Sequence, residues 1–304
     1  MTLKDVANQL LLPILGNVDP ATLELSSEEE AIEAELKKMM NENAKLFYWV
    51  SSSSKFSVSA HHAAFVMFWL YKFVFGSHPH YAIKSLYFCL AIKIAAGVSV
   101  PLAPMYLGHL YVKLDILQSD ERQAGSYHIV TSSVHSTILQ HLLHERCAKH
   151  LLKCRPSRFA KDKYQLRVGL KPIGHSAVES FDQGVGFSWR AYRNLGTGYT
   201  CVDFAMGLFV DITGTTALLT GFDEAEITYS AATNAGWLPY LADEGIRFVH
   251  YPTNRVRRQF GLDHDILDAI SFLMESPTSV RPFLRPTAFE FWSQHFTAIT
   301  VQAH

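Results

Sequence analysis

The chain has few cysteines and almost no excess charge. Four cysteines in 304 residues are too few for a disulfide framework, so free thiols in a reducing compartment are expected. The formal net charge of −1 excludes a global electrostatic argument for nucleic acid or for an acidic partner. The N-terminus also lacks a secretory pattern, because Lys4 is followed at once by Asp5.

Long uninterrupted hydrophobic runs are absent as well. Residues 86–112 are strongly apolar, but Pro101 and Pro104 divide them. Each half is shorter than the roughly 20 residues that a membrane-spanning helix needs. Residues 63–75 form a second apolar run, which Lys72 interrupts. Both runs are typical of helices buried in a protein core, and no membrane association is expected.

Three stretches that look like catalytic motifs each depart from the motif. Residues 174–178 lack the second glycine of a nucleophile elbow. Four residues separate Glu145 from His150, where the metalloprotease helix has two. Gly214 precedes two threonines without the lysine of a phosphate-binding loop. The sequence therefore predicts no enzyme and no cofactor, and the alternative of an enzyme with an unrecognised site stays open.

A group of histidines and cysteines near the middle of the chain has side chains that suit zinc. Its spacing drifts around a helix, so four ligands do not converge, and no paired Cys-x-x-Cys accompanies them. We therefore predict no metal site. The group consists of His141, His144, Cys147, His150 and Cys154.

What the chain does have is helical periodicity. Apolar side chains make up 48% of the residues, enough for one large core. The pattern predicts a compact multi-helix domain, mainly α with a small β component (α+β). We expect a single unit over 1–304 in which residues 1–50 form an acidic helical extension that can pack loosely. Predicted helices cover 2–12, 27–43 (opened by a Ser27/Glu30 capping box), 58–75, 81–96, 102–117, 132–152 and 265–275, and predicted strands cover 227–230 and 246–251. A polar loop is expected over 118–126.

Basic side chains cluster locally between residues 146 and 171. Such a cluster could contact phosphates through a screened, non-specific attraction. The simpler interpretation is a solvated helix end and loop that balance the acidic segment 19–42, since base-stacking aromatics are not interleaved with the charges. The candidate nucleic-acid-binding residues are Arg155, Arg158, Lys161, Lys163 and Arg167.

A second basic motif follows Tyr251. Its pattern predicts a short helix over 254–260, capped by Thr253, with Val256 and Phe260 on a face that docks on the core. Two interpretations of its polar face remain open. One is an ion pair with a carboxylate elsewhere, with Glu145 and Asp115 as candidates; the other is a docking face for a phosphate or a protein. The candidate residues are Arg255, Arg258 and Gln259 on one face and Arg257, which projects away.

Several motifs in order resemble the plant mobile domain family. Tyr251-Pro-Thr-Asn-Arg-Val-Arg-Arg-Gln-Phe-Gly261 is similar to its Tyr-x-Pro-His-Arg-Val-x-Arg-Gln-Phe-Gly signature, with Asn254 in place of His. The other matching runs are Thr2-Leu-Lys-Asp-Val-Ala7, Leu10-Leu-Leu-Pro-Ile-Leu-Gly16, residues 62–75, residues 102–111, and Leu139-Gln140 with Glu145-Arg146.

The resemblance implies a non-catalytic nuclear protein-interaction domain. It implies roles in transcriptional regulation, transposon silencing and meristem maintenance, and association with a type-7 serine/threonine phosphatase or a related plant-mobile-domain protein. The family has carried the label "aminotransferase-like", but the lysine and carboxylate constellation of a pyridoxal enzyme is not recognisable. Direct nucleic-acid binding by a transposon-derived module is the alternative from a different class.

Overall fold

The structure describes two long stretches of the chain and several shorter ones. The computed structural model describes residues 1–76, 82–123, 235–252 and 257–260. It also describes 134, 138–139, 142–143, 146, 152–153, 171–172, 217–219, 228, 231–233 and 299–301. The helices in these parts are α1 Leu3–Leu10, α2 Ser27–Glu42, α3 Leu46–Ser51, α4 Val58–Trp69, α5 Phe88–Ala95 and α6 Leu102–Gln123. The strands are β1 Leu152–Lys153, β2 Lys171–Pro172, β3 Ala217–Leu219, β4 Trp237–Ala242, β5 Gly245–His250 and β6 Ile299–Val301.

The described residues are mainly helical with a small antiparallel β component, as the periodicity predicts. The strands pair as β1 with β2, β3 with β6 and β4 with β5. The last pair is a hairpin whose register runs from Trp237 opposite His250 to Ala242 opposite Gly245. Gly245 has a φ of 119°, a left-handed region that favours glycine.

The first two helices begin with capping boxes. Thr2 caps α1, and its side chain and that of Asp5 exchange hydrogen bonds with each other's backbone N–H groups. Ser26 caps α2 with Glu29 in the same way, which corrects the predicted Ser27/Glu30 box by one residue. Both pairs fit the motif, but Ser26 is the residue with extended backbone angles, φ −74° and ψ 167°.

α4 continues without a break into a π-helical turn over Leu70–Phe75, so the predicted helix over 58–75 is confirmed. Gly76 ends this helix in a left-handed conformation. The next predicted helix is shorter than expected, since a 3₁₀ turn at Ser85–Tyr87 leads into α5. α3 was not predicted because six residues carry too little periodicity.

α6 lies at the centre of the described structure. It packs against β4 and β5, α1 and the π-helical turn. Gly108 permits the close approach to β4, because a Cβ there would collide with the backbone carbonyl of Pro239.

α6 extends to Gln123, so the loop predicted over 118–126 is helical over 118–123. Thr228 is also helical, which contradicts the strand predicted there.

One core contains buried side chains from every described helix from α1 to α6. Leu3, Leu36 and Leu107 are all fully buried in it. Thus parts of the segment 1–50 contribute directly to the same core as α6. The division of the chain at residue 50 stays a prediction.

The helix Val58–Phe75 corrects one expectation about length. Its 18 residues with a mean hydropathy of 1.2 are long and apolar enough to cross a membrane by length and composition. The sequence argument counted only the run from residue 63 and underestimated the helix. Half of this helix is buried inside the protein, and a core helix passes the same test.

Candidate functional site

Asp5 and Arg146 form a buried ion pair in the described structure. The Arg146 guanidinium donates from Nε and Nη2 to Oδ1 of Asp5, at 3.0 Å and 2.6 Å. Oδ2 of Asp5 accepts from the backbone N–H of Thr2 at 2.7 Å and from its hydroxyl at 3.0 Å. The side chains of Asp5 and Arg146 are 0% and 2% exposed. One carboxylate therefore caps α1 and also holds an arginine 141 residues away.

The electrostatics of this pair depend on its isolation from water. Burial alone would raise the pKa of the Asp5 carboxyl, but the neighbouring Arg146 guanidinium holds that pKa below its ordinary value. Burial raises the pKa of the Tyr251 hydroxyl well above its ordinary value, and the approach of Tyr111 adds to this effect. The tyrosines therefore stay neutral beside the ion pair.

The motifs that are far apart in sequence meet around this pair. Tyr251 begins the 251–261 motif, and its ring lies 6.0 Å from that of Tyr111 at the end of the 102–111 run. The Tyr111 hydroxyl donates to the backbone carbonyl of Met1 at 2.8 Å. Together with Asp5 and Arg146, these residues bring four of the motifs into one buried junction.

Other motifs interlock elsewhere in the core. Gly16 packs against the ring of Pro101, and the N–H of Ala103 donates to the carbonyl of Pro13 at 2.9 Å. The ring of Phe75 stacks on Tyr87 at 5.1 Å and meets the edge of His109 at 5.6 Å. These contacts use the motif residues in packing.

The exposed face of α3 and α4 has a different character. Phe47, Val58 and Phe65 are 83%, 91% and 64% exposed. Between the two helices lies a groove of about 280 Å³. Its lining is mostly apolar and consists of Trp49, Val50, Phe56, His61, Ala64, Phe65 and Phe68. We call this the α3–α4 groove. Large exposed apolar surfaces of this kind mark binding sites for proteins or membranes.

The predicted arginine motif is described only at its end. Residues 257–260 form a 3₁₀ helix, and Phe260 is fully buried as the predicted docking face requires. Gln259 is buried too, and its Oε1 has no hydrogen-bond partner among the residues that the structure describes, so this side chain lies inside the protein and not on an exposed face. Arg257 and Arg258 have a described backbone only. Asp115, one suggested carboxylate partner, is exposed.

Several predicted residues lie outside the described part of the chain. These are Arg255, Val256 and Glu145, the basic candidates Arg155, Arg158, Lys161, Lys163 and Arg167, and the group His141, His144, Cys147, His150 and Cys154. Their predicted roles stay predictions. Among the residues that are described, no cluster of three or more His, Cys, Asp or Glu side chains could hold a metal.

Sequence reasoning missed the Asp5–Arg146 pair. It placed Arg146 at the start of the basic cluster and Asp5 in the predicted helix over 2–12. The available signal was that both charges belong to motifs shared with one family. Nothing in local periodicity links two residues so far apart.

Comparisons with known proteins agree with the motif pattern. A family model described as plant mobile domain matches residues 1–303. No curated protein and no solved structure matches the chain.

Proposed function

Because the chain belongs to the plant mobile domain family, we propose that it is a non-catalytic nuclear protein-interaction domain. The proposed roles are in transcriptional regulation, transposon silencing and meristem maintenance. The proposed partner is a type-7 serine/threonine phosphatase or a related plant-mobile-domain protein. The nucleus is the proposed location, since these roles act on chromatin and transcripts.

The observation that carries this proposal is the exposed apolar surface on α3 and α4. Phe47, Val58 and Phe65 are 83%, 91% and 64% exposed on these two helices. Exposed apolar side chains cost solubility, and contiguous ones are typical of surfaces that a partner covers. This surface supports a role in binding.

The non-catalytic part of the proposal has a separate support. Asp5, Arg146 and Tyr251 are polar members of the motifs, and they are buried against one another. A catalytic acid, base or nucleophile must reach a substrate. A structural role for these buried side chains accounts for their presence in the motifs.

Affinity purification from plant nuclear extract with mass spectrometry tests the proposal. We expect the wild-type chain to recover a type-7 phosphatase or a plant-mobile-domain protein reproducibly. A parallel Arg255→Ala/Arg258→Ala variant, checked for folding by circular dichroism, asks whether the arginine motif is part of the docking face. Loss of the partner with an intact fold would assign the motif to binding, and collapse of the fold would make it structural.

Recovery of neither protein from the extract would overturn the proposal. DNA or RNA binding that falls steeply with salt, and that Arg155→Ala/Arg158→Ala/Lys161→Ala removes, would replace it with the nucleic-acid alternative.

A further inference from the structure

The helix α2 buries less of itself than its neighbours do. Two of its 16 residues are buried, Leu36 and Met39, and Ile32 and Met40 are partly buried beside them. By contrast, six of the eight residues of α1 and four of the eight residues of α5 are buried. Burial of apolar side chains is the main favourable contribution to packing, so α2 gains the least per residue of these three helices.

Three carboxylates of α2 supply the rest of its attachment, each to a different helix. Glu29 accepts from Nζ of Lys93 on α5 at 2.6 Å. Glu35 accepts from the backbone N–H and the hydroxyl of Ser57, the N-cap of α4, both at 2.7 Å. Glu42 accepts from a tyrosine hydroxyl of α3 at 3.2 Å. The bonds of Glu35 and Glu42 are exposed, so water competes for the same groups and each bond contributes modestly to stability.

The chain on either side of α2 is fixed to other parts of the molecule. Before the helix, the N–H of Asn17 donates to the carbonyl of Ser99 at 2.9 Å, and Pro20 is buried. After the helix, the carbonyl of Ala44 accepts from the N–H of Ile83 at 2.8 Å. α2 can therefore leave the surface between two fixed points without breaking either of these bonds.

Once released, α2 would lose its helical structure. An isolated helix of roughly 15 residues is marginal in water, because most helical stability in proteins comes from packing. The ion pair of Glu33 with Lys37 at 2.8 Å lies within the helix, but a surface pair of this kind adds little. Release would thus free the backbone amides of α2 for exchange with solvent.

We propose that α2 is a displaceable lid, which opens while α4, α5 and α6 stay folded. Opening removes Leu36 and Met39 from the core and uncovers the faces of α4 and α5 against which α2 packs. The domain then presents a different surface, and a partner that prefers this surface shifts the population toward the open form. This inference goes beyond the proposed function and does not depend on it.

Hydrogen exchange of the wild-type chain, read by mass spectrometry with residue resolution, tests the lid. After correction for intrinsic rates, we expect the amide of Leu36 to exchange at least about tenfold faster than those of Ala63 on α4 and Leu90 on α5. All three side chains are buried. Leu36 lies more than one turn from either end of α2, so fraying of the helix ends would not expose its amide.

Limited digestion with trypsin is an independent measurement on the wild-type chain. Lys37 and Lys38 are exposed on α2, but a protease cleaves a helix only where the chain unwinds. We expect cleavage after Lys37 or Lys38 to be at least about tenfold faster than cleavage after Lys93 on α5, because proteolysis follows the population of the open form.

Variants of the attachments locate the cause. Glu35→Ala removes both bonds to Ser57 and should speed exchange at Leu36 at least about threefold. The double variant Glu35→Ala/Lys93→Met should speed it at least about tenfold. Glu28→Ala is the matched control, because Glu28 is an exposed carboxylate of the same helix, and it should stay within about twofold of wild type. Exchange in α6 should be unchanged in all three variants.

Two results on the wild-type chain would overturn the inference. If the amide of Leu36 exchanges no faster than those of α4 and α5, α2 opens only together with the core. Equal cleavage rates after Lys37 and after Lys93 lead to the same conclusion. Because neither measurement needs a substitution, both stand even where a variant fails to fold.

The variants supply a further way to reject the lid. If Glu35→Ala and Glu35→Ala/Lys93→Met both exchange within about twofold of Glu28→Ala, the carboxylate attachments do not hold α2 in place. Faster exchange that extends to α6 would also overturn the inference, because the variants would then loosen the whole core.

Discussion

The contribution of the Asp5–Arg146 pair to the free energy of unfolding depends on both residues being present. A buried ion pair gains little over an apolar pair of similar shape, because removing two charges from water is costly. Removing one partner is much worse, since the other charge stays buried without compensation. Asp5 has a further role, because Oδ2 holds the N-terminus of α1.

Asp5→Asn should lower the free energy of unfolding at neutral pH by about 3–5 kcal/mol. The amide oxygen can still cap α1, so the loss reports mainly the uncompensated charge of Arg146. Chemical denaturation followed by circular dichroism measures the change. Arg146→Met should cost a similar amount, whereas the double variant Asp5→Leu/Arg146→Met should be more stable than either Asp5→Asn or Arg146→Met. Equal or additive losses in the double variant would contradict the account.

The exposed pair Glu244–Arg247 is the control. Its atoms lie 3.2 Å apart on solvent-accessible side chains, and Arg247→Ala should change stability by no more than about 1 kcal/mol.

The contribution of Asp5 to stability depends on pH with a definite sign. Because the folded state holds the pKa of Asp5 below its unfolded value, its contribution is present above the unfolded pKa and is lost as pH falls through the folded pKa. The difference in the free energy of unfolding between wild type and Asp5→Asn should become smaller in that acidic range.

For individual residues, the sequence predicts burial better than it predicts which residues pair with each other. Phe260 is buried as its helical position requires, and α1 begins within one residue of the predicted start at residue 2. The partner of Asp5 could not be predicted, because the energy of a buried charge depends on where the chain folds back and not on neighbouring residues. An ion pair is one of two interpretations of the 251–261 motif, and it stays a prediction; the ion pair that the structure describes is that of Arg146.

Among the elements, the close contact between α6 and the β4–β5 hairpin depends on Gly108 having no side chain. Gly108 faces the backbone of Pro239 in β4. Leu238, next to it, is fully buried and packs on α6. Backbone atoms cannot rotate away as a side chain can, so the helix and strand must move apart if Gly108 gains a Cβ.

Gly108→Ala should therefore destabilise the protein by about 1–3 kcal/mol through overpacking. The helix propensity of alanine, favourable by up to about 1 kcal/mol, would oppose this loss. Thermal unfolding measures the difference. Gly236→Ala is the matched control, since a Cβ at that position meets no atom within 4 Å, and it should be nearly neutral. A stabilised Gly108→Ala variant would show that α6 and β4 are less tightly packed than the structure indicates.

Long elements were predictable, but some of their ends were not. The helix over 58–75 and the strand near 246–251 carry enough alternation to be recognised. The capping box of α2 fell on Ser26 because adjacent serines satisfy the same motif, and only backbone geometry decides between them. β4 was missed since Pro239 interrupts the strand pattern.

Across the described protein, α1 and α6 belong to one core. α1 packs on α6, and Leu3, Val6 and Leu107 are all fully buried. Elements that share buried contacts tend to open together, whereas a loosely packed extension opens at a lower free energy.

Native-state hydrogen exchange should therefore give α1 and α6 the same opening free energy within about 1 kcal/mol. The amides of α2 that face solvent serve as a reference for local fraying. Early exchange of α1, with α6 still protected, would support the loosely packed extension over 1–50. Asp5→Asn should lower the protection of both helices together.

The separation of Asp5 from Arg146 also has a consequence during synthesis. At roughly 5–20 residues per second, a ribosome needs roughly 7–28 s to add the 141 residues between them. Throughout that interval the carboxylate must remain hydrated, and α1 has no arginine to close over it. A nascent chain that stalls before residue 146 thus leaves the Asp5 carboxylate without its arginine until translation resumes.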